Sequence, residues 1–158
     1  LRKRHLARRS EDLTEKSSVI LVDSSVWVDF FRPSFSGPSF SRPSPGRGGA
    51  ELRRMIEESE PFALTGIVVA EVLQGLKRDA GVIERFLAQW DMLEPRGFDT
   101  YRSAAAIYRA GRGKGITFST IDTLIAAIAL EHGASVFTLD QDFVRMARMT
   151  GLELYSGI

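Results

Sequence analysis

Two short apolar runs constrain this chain more than any other feature, because each ends at an aspartate and passes straight into a helical pattern. Val19 to Val22 leads to Asp23, and the β-branched and aromatic run Ser135 to Leu139 leads to Asp140. Apolar runs of this length, without polar alternation, are the signature of strands buried on both faces of a parallel sheet. Parallel strands need crossover connections, and the sequence between the two runs supplies them as alternating strand and helix patterns. The expected fold class is therefore α/β: one domain with a parallel sheet of about four or five strands, helices on both faces and right-handed crossovers.

The segment after Asp23, SSVWVDFF, places Val26, Phe30 and Phe31 near Trp27 and predicts a short helix capped by Ser24 and Ser25. Residues 33–49, PSFSGPSFSRPSPGRGG, are too rich in Pro, Gly and Ser for regular structure and predict a mobile loop. Its Arg42 and Arg47 could steer a polyanion. Helical spacing follows over Ala50–Glu58, Gly66–Lys77, Val82–Trp90 and Asp99–Arg112, with strand candidates at Phe62–Thr65, Met92–Glu94 and Leu152–Tyr155. In Gly66–Lys77 the expected core stripe is Ile67, Ala70, Leu73 and Leu76, with Glu71 beside it, opening the helix. A strongly apolar helix after Ser119 carries Asp122 in its first turn and ends at Gly133, a C-cap residue.

A length of 158 residues suits one domain, and 44% hydrophobic with 26% charged residues is an ordinary globular balance. The absence of cysteine removes disulfides, thiolate metal sites and cysteine nucleophiles together. The apolar run Leu124–Leu130 is far short of the roughly 20 residues that span a bilayer, so the expectation is a soluble, cytoplasmic protein. Residues 1–18 hold six Lys or Arg against three Asp or Glu, so this segment reads as a basic, flexible tail ahead of a domain at 19–158. Taking its surplus of three from the overall +1 leaves the domain at −2. A protein that grips nucleic acid through counterion release alone is normally basic, so any such contact here must be local or metal-assisted.

In an open parallel sheet, functional groups gather beyond the carboxyl ends of the strands. Asp23 and Asp140 fall there, and Asp122 and Glu71 are drawn to the same side because helices begin where strands end. Each acid also has an ordinary reading, as a helix cap, a dipole partner or a solvent-facing side chain. Together they pose a charge problem, because carboxylates a few ångströms apart raise one another's pKa values. A divalent cation resolves it, and an all-oxygen ligand set favours Mg²⁺ or Mn²⁺ over zinc. Such an ion polarises a phosphoryl oxygen and activates water, which is the chemistry of phosphodiester hydrolysis.

At these residues the sequence resembles the PIN-domain ribonucleases, especially VapC-type toxins of bacterial type II toxin–antitoxin pairs. The resemblance covers about residues 19–155 and lies in ILVDSSVWVDFF, TGIVVAEVLQGL, GITFSTIDTLIAAIALEHGA and VFTLDQDF. It implies a single PIN-like domain and a Mg²⁺- or Mn²⁺-dependent endoribonuclease cleaving RNA. It further implies a homodimer inhibited by a cognate antitoxin whose C-terminal segment covers the acidic cleft. On the site, it implies Asp23 and Asp122 as principal metal ligands, Glu71 and Asp140 as completing the set, and Asp142 as auxiliary. Ser24 and Thr138 match small hydroxyl positions beside these acids, while Arg109, Arg112 and Lys114, just before the Asp122 motif, could hold phosphates. Two rivals remain: a catalytically silent module that binds RNA or a partner, and a phosphatase of another α/β family. The second is weakened because Asp23-Ser24-Ser25 offers no Asp-x-Asp pair.

Overall fold

The computed structural model describes residues 18–35 and 45–157. The expected basic tail lies almost entirely outside the described residues, as does the middle of the 33–49 stretch, with Arg42. Among these residues four strands form one sheet: β1 (Ile20–Val22), β2 (Phe62–Leu64), β3 (Asp91–Met92) and β4 (Ser135–Phe137). Their order is β3-β2-β1-β4 and every pairing is parallel. The register sets Ile20 beside Phe62 on one side and beside Ser135 on the other. Leu21 and Val22 are both fully buried. Neighbouring strand residues point to opposite faces, so both faces of β1 are covered.

Among the described residues eight helices supply that cover: α1 (Ser24–Phe30), α2 (Arg32–Phe35), α3 (Arg47–Glu57), α4 (Gly66–Gly75), α5 (Ala80–Leu87), α6 (Phe98–Gly113), α7 (Thr120–His132) and α8 (Gln141–Ala147). Among the described residues no helix is long and apolar enough to cross a membrane. From β1 the chain moves outward to β2 and β3, then returns to place β4 on the opposite side of β1. The strand order thus reverses between β1 and β4, and it is beyond the carboxyl ends of such a pair that a crevice opens. Asp23 and Asp140 flank it.

Three packing features fix the elements that carry the site. Trp27 of α1 is fully buried, with its ring centroid 5.8 to 6.3 Å from those of Phe30, Phe31, Phe62 and Phe86. Such aromatic contacts add about 0.5–1.5 kcal/mol each beyond area burial, and these tie α1 to β2 and α5. Asp29, 5% exposed, accepts hydrogen bonds from the backbone N–H groups of Gly46 (3.0 Å) and Gly49 (2.8 Å) and pairs with Arg32. It thereby caps α3 from α1. Gly49 allows the close approach, since a Cβ there would sit 2.8 Å from the Phe30 nitrogen. Finally, Phe118 is buried over Gly111 of α6, where a Cβ would lie 2.5 Å from its ring, and this seats the segment leading into α7.

Four expectations are corrected. The 33–49 stretch is helical at both ends, in α2 and at the start of α3, the latter because Asp29 satisfies the amides of Gly46 and Gly49. Asp23, not Ser24 or Ser25, is the N-cap of α1. The core stripe of α4 is Val68 and Val72, both fully buried, while Ile67, Leu73 and Leu76 are half-buried and Ala70 is exposed. This helix is apolar nearly all round, so spacing alone does not select its buried face. The last strand is reduced to a parallel bridge from Leu154 to Val136, with hydrogen bonds from Val136 N–H to Glu153 and from Tyr155 N–H to Val136. Beyond Phe137 the chain turns toward α8, which leaves the final segment little of β4 to pair with.

Candidate active site

Asp23 follows β1 at once, and its own N–H donates to the Phe137 carbonyl (2.9 Å), extending the β1–β4 ladder by one step. The residue is 2% exposed, and its two carboxylate oxygens are used unequally. Oδ2 accepts from the Ser25 hydroxyl (2.7 Å), the Thr138 hydroxyl (2.9 Å) and the Ser25 amide (3.3 Å), whereas Oδ1 has the Ser24 hydroxyl at 3.4 Å. One oxygen is held by three donors, and the other has a single long contact.

Asp140 is the N-cap of α8, accepting from the Asp142 amide at 2.9 Å. Asp142 lies in the first turn of that helix and accepts from the Arg145 guanidinium at 2.5 Å. Asp122 lies in the first turn of α7 and is held by the cap, Ser119, whose hydroxyl accepts from the Asp122 amide (2.9 Å) and donates to its carboxylate (2.6 Å). Carboxylate oxygens of Asp122, Asp140 and Asp142 all fall within 4.8 Å of one another. Glu71 does not open its helix; it sits in the second turn of α4, half-buried.

The charges of these groups interact. Burial first, then Asp140, Asp23 and Asp142, push the Asp122 carboxyl above its ordinary value, against the lowering effect of the Ser119 hydroxyl. Burial likewise raises Glu71, helped by Asp23 and Asp122 and opposed by a hydrogen bond from Ser24. Asp122 is therefore the hub: it joins the compact group with Asp140 and Asp142 to the pair Asp23 and Glu71. The tight trio includes Asp142, expected only as auxiliary, while Asp23 and Glu71 flank it.

The donor set fits a hard divalent cation. Every candidate ligand is a carboxylate oxygen, and the Oε2 atom of Glu71 is buried without a hydrogen-bond partner. A buried acceptor left unmatched is costly unless it meets a cation, a donor or water. Five acids gather here, and among the described residues Arg145 pairs with one of them, Asp142. Of the other basic residues singled out in the sequence, Arg112 donates to the Thr117 hydroxyl (2.9 Å), and Arg109 and Lys114 are exposed. Arg47, the remaining loop arginine, is the first residue of α3.

Ser25, Ser119 and Arg145 had no site role in the sequence reading. Ser119 was legible as a cap three residues before Asp122 and Arg145 as an i,i+3 partner of Asp142. Ser25 reaches the turn after β4, more than a hundred residues away, which local sequence does not show.

Comparison with known proteins gives the family of the chain. The family description for the PIN domain matches residues 20–149, so the chain belongs to the PIN-domain family. It is similar to a VapC ribonuclease of Mycobacterium bovis and to ribonuclease VapC11 of Mycobacterium tuberculosis. Each is 35% identical over 142 residues, which span 87% of this chain and 98% of the relative. The fold is similar to that of VapBC2 from Rickettsia felis bound to a promoter DNA fragment, with a TM-score of 0.63 at 14% identity over 87% of this chain and 97% of that one. It is also similar to FitAcB from Neisseria gonorrhoeae, with a TM-score of 0.61 at 22% identity and the same two coverages.

Proposed function

We propose that this chain is the endoribonuclease toxin of a toxin–antitoxin pair, and that it hydrolyses RNA phosphodiester bonds at the acidic cluster between β1 and β4. The observation that carries this reading is the convergence of Asp122, Asp140 and Asp142 within 4.8 Å, with Asp23 and Glu71 electrostatically coupled to Asp122. Family membership and the ribonuclease relatives support the reaction class.

Asp122, Asp140 and Asp142 would hold Mg²⁺ or Mn²⁺, with Asp23 Oδ1, which has one long contact from Ser24, and the unpartnered Oε2 of Glu71 completing the ligand set. A bound ion of this kind supplies polarisation of a phosphoryl oxygen and activation of water. The chain's own contribution is placement: hydroxyls fix Asp23, Ser119 fixes Asp122, and the α8 turn fixes Asp140 against Asp142. Glu71, half-buried and electrostatically coupled to Asp23 and Asp122, is suited to orient the attacking water. The metal also reconciles an acidic domain with an anionic substrate.

As partners we propose a cognate antitoxin and a second copy of the chain; the VapBC and FitAcB structural neighbours support the first. The reading is tested by incubating the purified chain with labelled single-stranded RNA. Cleavage is expected with Mg²⁺ or Mn²⁺, loss with excess EDTA, and recovery when metal is restored. Undiminished cleavage in EDTA would contradict the metal-dependent mechanism.

A further inference from the structure

Asp23 is held by two hydroxyls from opposite sides of the crevice. Ser25, in the first turn of α1, places its Oγ 2.7 Å from Asp23 Oδ2, and Thr138, just past β4, places its Oγ1 2.9 Å from the same oxygen. A hydroxyl has one proton to donate, and both protons are committed to that carboxylate. The 3.4 Å separation of the two hydroxyl oxygens is then a contact between acceptors. What each still offers is a lone pair, and each accepts a backbone amide of the turn carrying Asp140: Leu139 N–H reaches Ser25 at 2.9 Å and Asp140 N–H reaches Thr138 at 3.0 Å.

The consequence is mechanical coupling. Two amides of the β4–α8 turn rest on hydroxyls that in turn rest on one oxygen of Asp23. The Ser25 hydroxyl is not needed to cap α1, because Asp23 already accepts the Ser25 amide. Its reach to Leu139 is a long-range tie between the two strand ends that flank the crevice.

We propose that Ser25 is a positioning residue: together with Thr138 it saturates Asp23 Oδ2, turns Oδ1 toward the cation, and locks the Asp140 turn to Asp23 before the metal arrives. This rests on the reading of the acidic cluster as a metal site. Groups that orient metal ligands typically contribute 10–100-fold to metal affinity. The same range is expected here.

The test is Mn²⁺ binding to the full chain by isothermal titration calorimetry, well below the melting temperature of each variant, with the half-saturating Mn²⁺ concentration for RNA cleavage as a second readout. Ser25→Ala is expected to weaken Mn²⁺ binding about 10–100-fold and to raise the half-saturating concentration in parallel. Ser25→Thr, which keeps the hydroxyl, is expected to bind within about threefold of the parent chain. Should Ser25→Ala not fold, Thr138→Val removes the other donor to the same oxygen and is expected to weaken Mn²⁺ over the same range. Because both hydroxyls serve one oxygen, the double variant should lose less than the product of the single losses. Parent-like Mn²⁺ binding by Ser25→Ala, or equal impairment of Ser25→Thr, overturns the role of Ser25 and leaves the metal site standing. Failure of the parent chain itself to bind Mn²⁺ overturns both.

Discussion

Arg145 shows how a single side chain can oppose the chemistry of a site it touches. Its guanidinium donates to Asp142, one of three acids whose oxygens lie within 4.8 Å of one another. A cation there stabilises the metal-free cluster and competes with the metal for the same carboxylate. The pair is partly exposed, so its effect is modest. Arg145→Ala is expected to tighten Mn²⁺ binding by about three- to tenfold, read by calorimetry at low ionic strength. Asp29 is the opposite case, a carboxylate fully matched by the fold. Burial raises its pKa, but the Gly49 amide, Arg32 and the Gly46 amide outweigh that and hold it below the ordinary 3.8. A depressed carboxyl lends stability that is present above its unfolded value and is lost as pH falls through its folded value. Asp29→Asn is expected to lower stability by about 1.5–3 kcal/mol at neutral pH in urea unfolding. The deficit relative to the parent chain should shrink below about pH 3.8.

At the scale of elements, the site depends on where α1, α4, α7 and α8 begin. Phe118 seats the entry to α7 by resting on Gly111. Replacing Gly111 by alanine gains up to about 1 kcal/mol of helix propensity but places a Cβ 2.5 Å from the Phe118 ring. Overpacking of this kind costs about 1–3 kcal/mol, so the net expectation for Gly111→Ala is a loss of about 1–2 kcal/mol with weaker Mn²⁺ binding, measured by thermal melts and calorimetry. The helix starts were largely legible, because α7 announces itself through Ser119 and Gly133, and α1 and α8 follow apolar runs that end at an aspartate. What stayed hidden was long-range. Nothing near residues 46–49 indicates that Asp29 will cap α3, and nothing in GIVVAEVL indicates that Val68 and Val72 face the core.

Across the whole molecule, the parallel sheet could be anticipated from its apolar strands, but not the strand order β3-β2-β1-β4. That order puts β1 and β4 side by side, and with them the first and last acids of the site. Convergence of Asp23, Glu71, Asp122 and Asp140 was an inference from the general behaviour of such sheets. The structure adds Asp142 to the tight group and makes Asp122 the acid coupled to all the others. The domain's slight negative charge then calls for a cation to meet RNA, and Asp122 is the residue whose loss should disable that encounter. The most direct test is the rate of RNA cleavage by Asp122→Asn at Mn²⁺ concentrations that saturate the parent chain. A fall of at least about a hundredfold is expected, with the variant still folded by circular dichroism. Cleavage at the parent rate would contradict it.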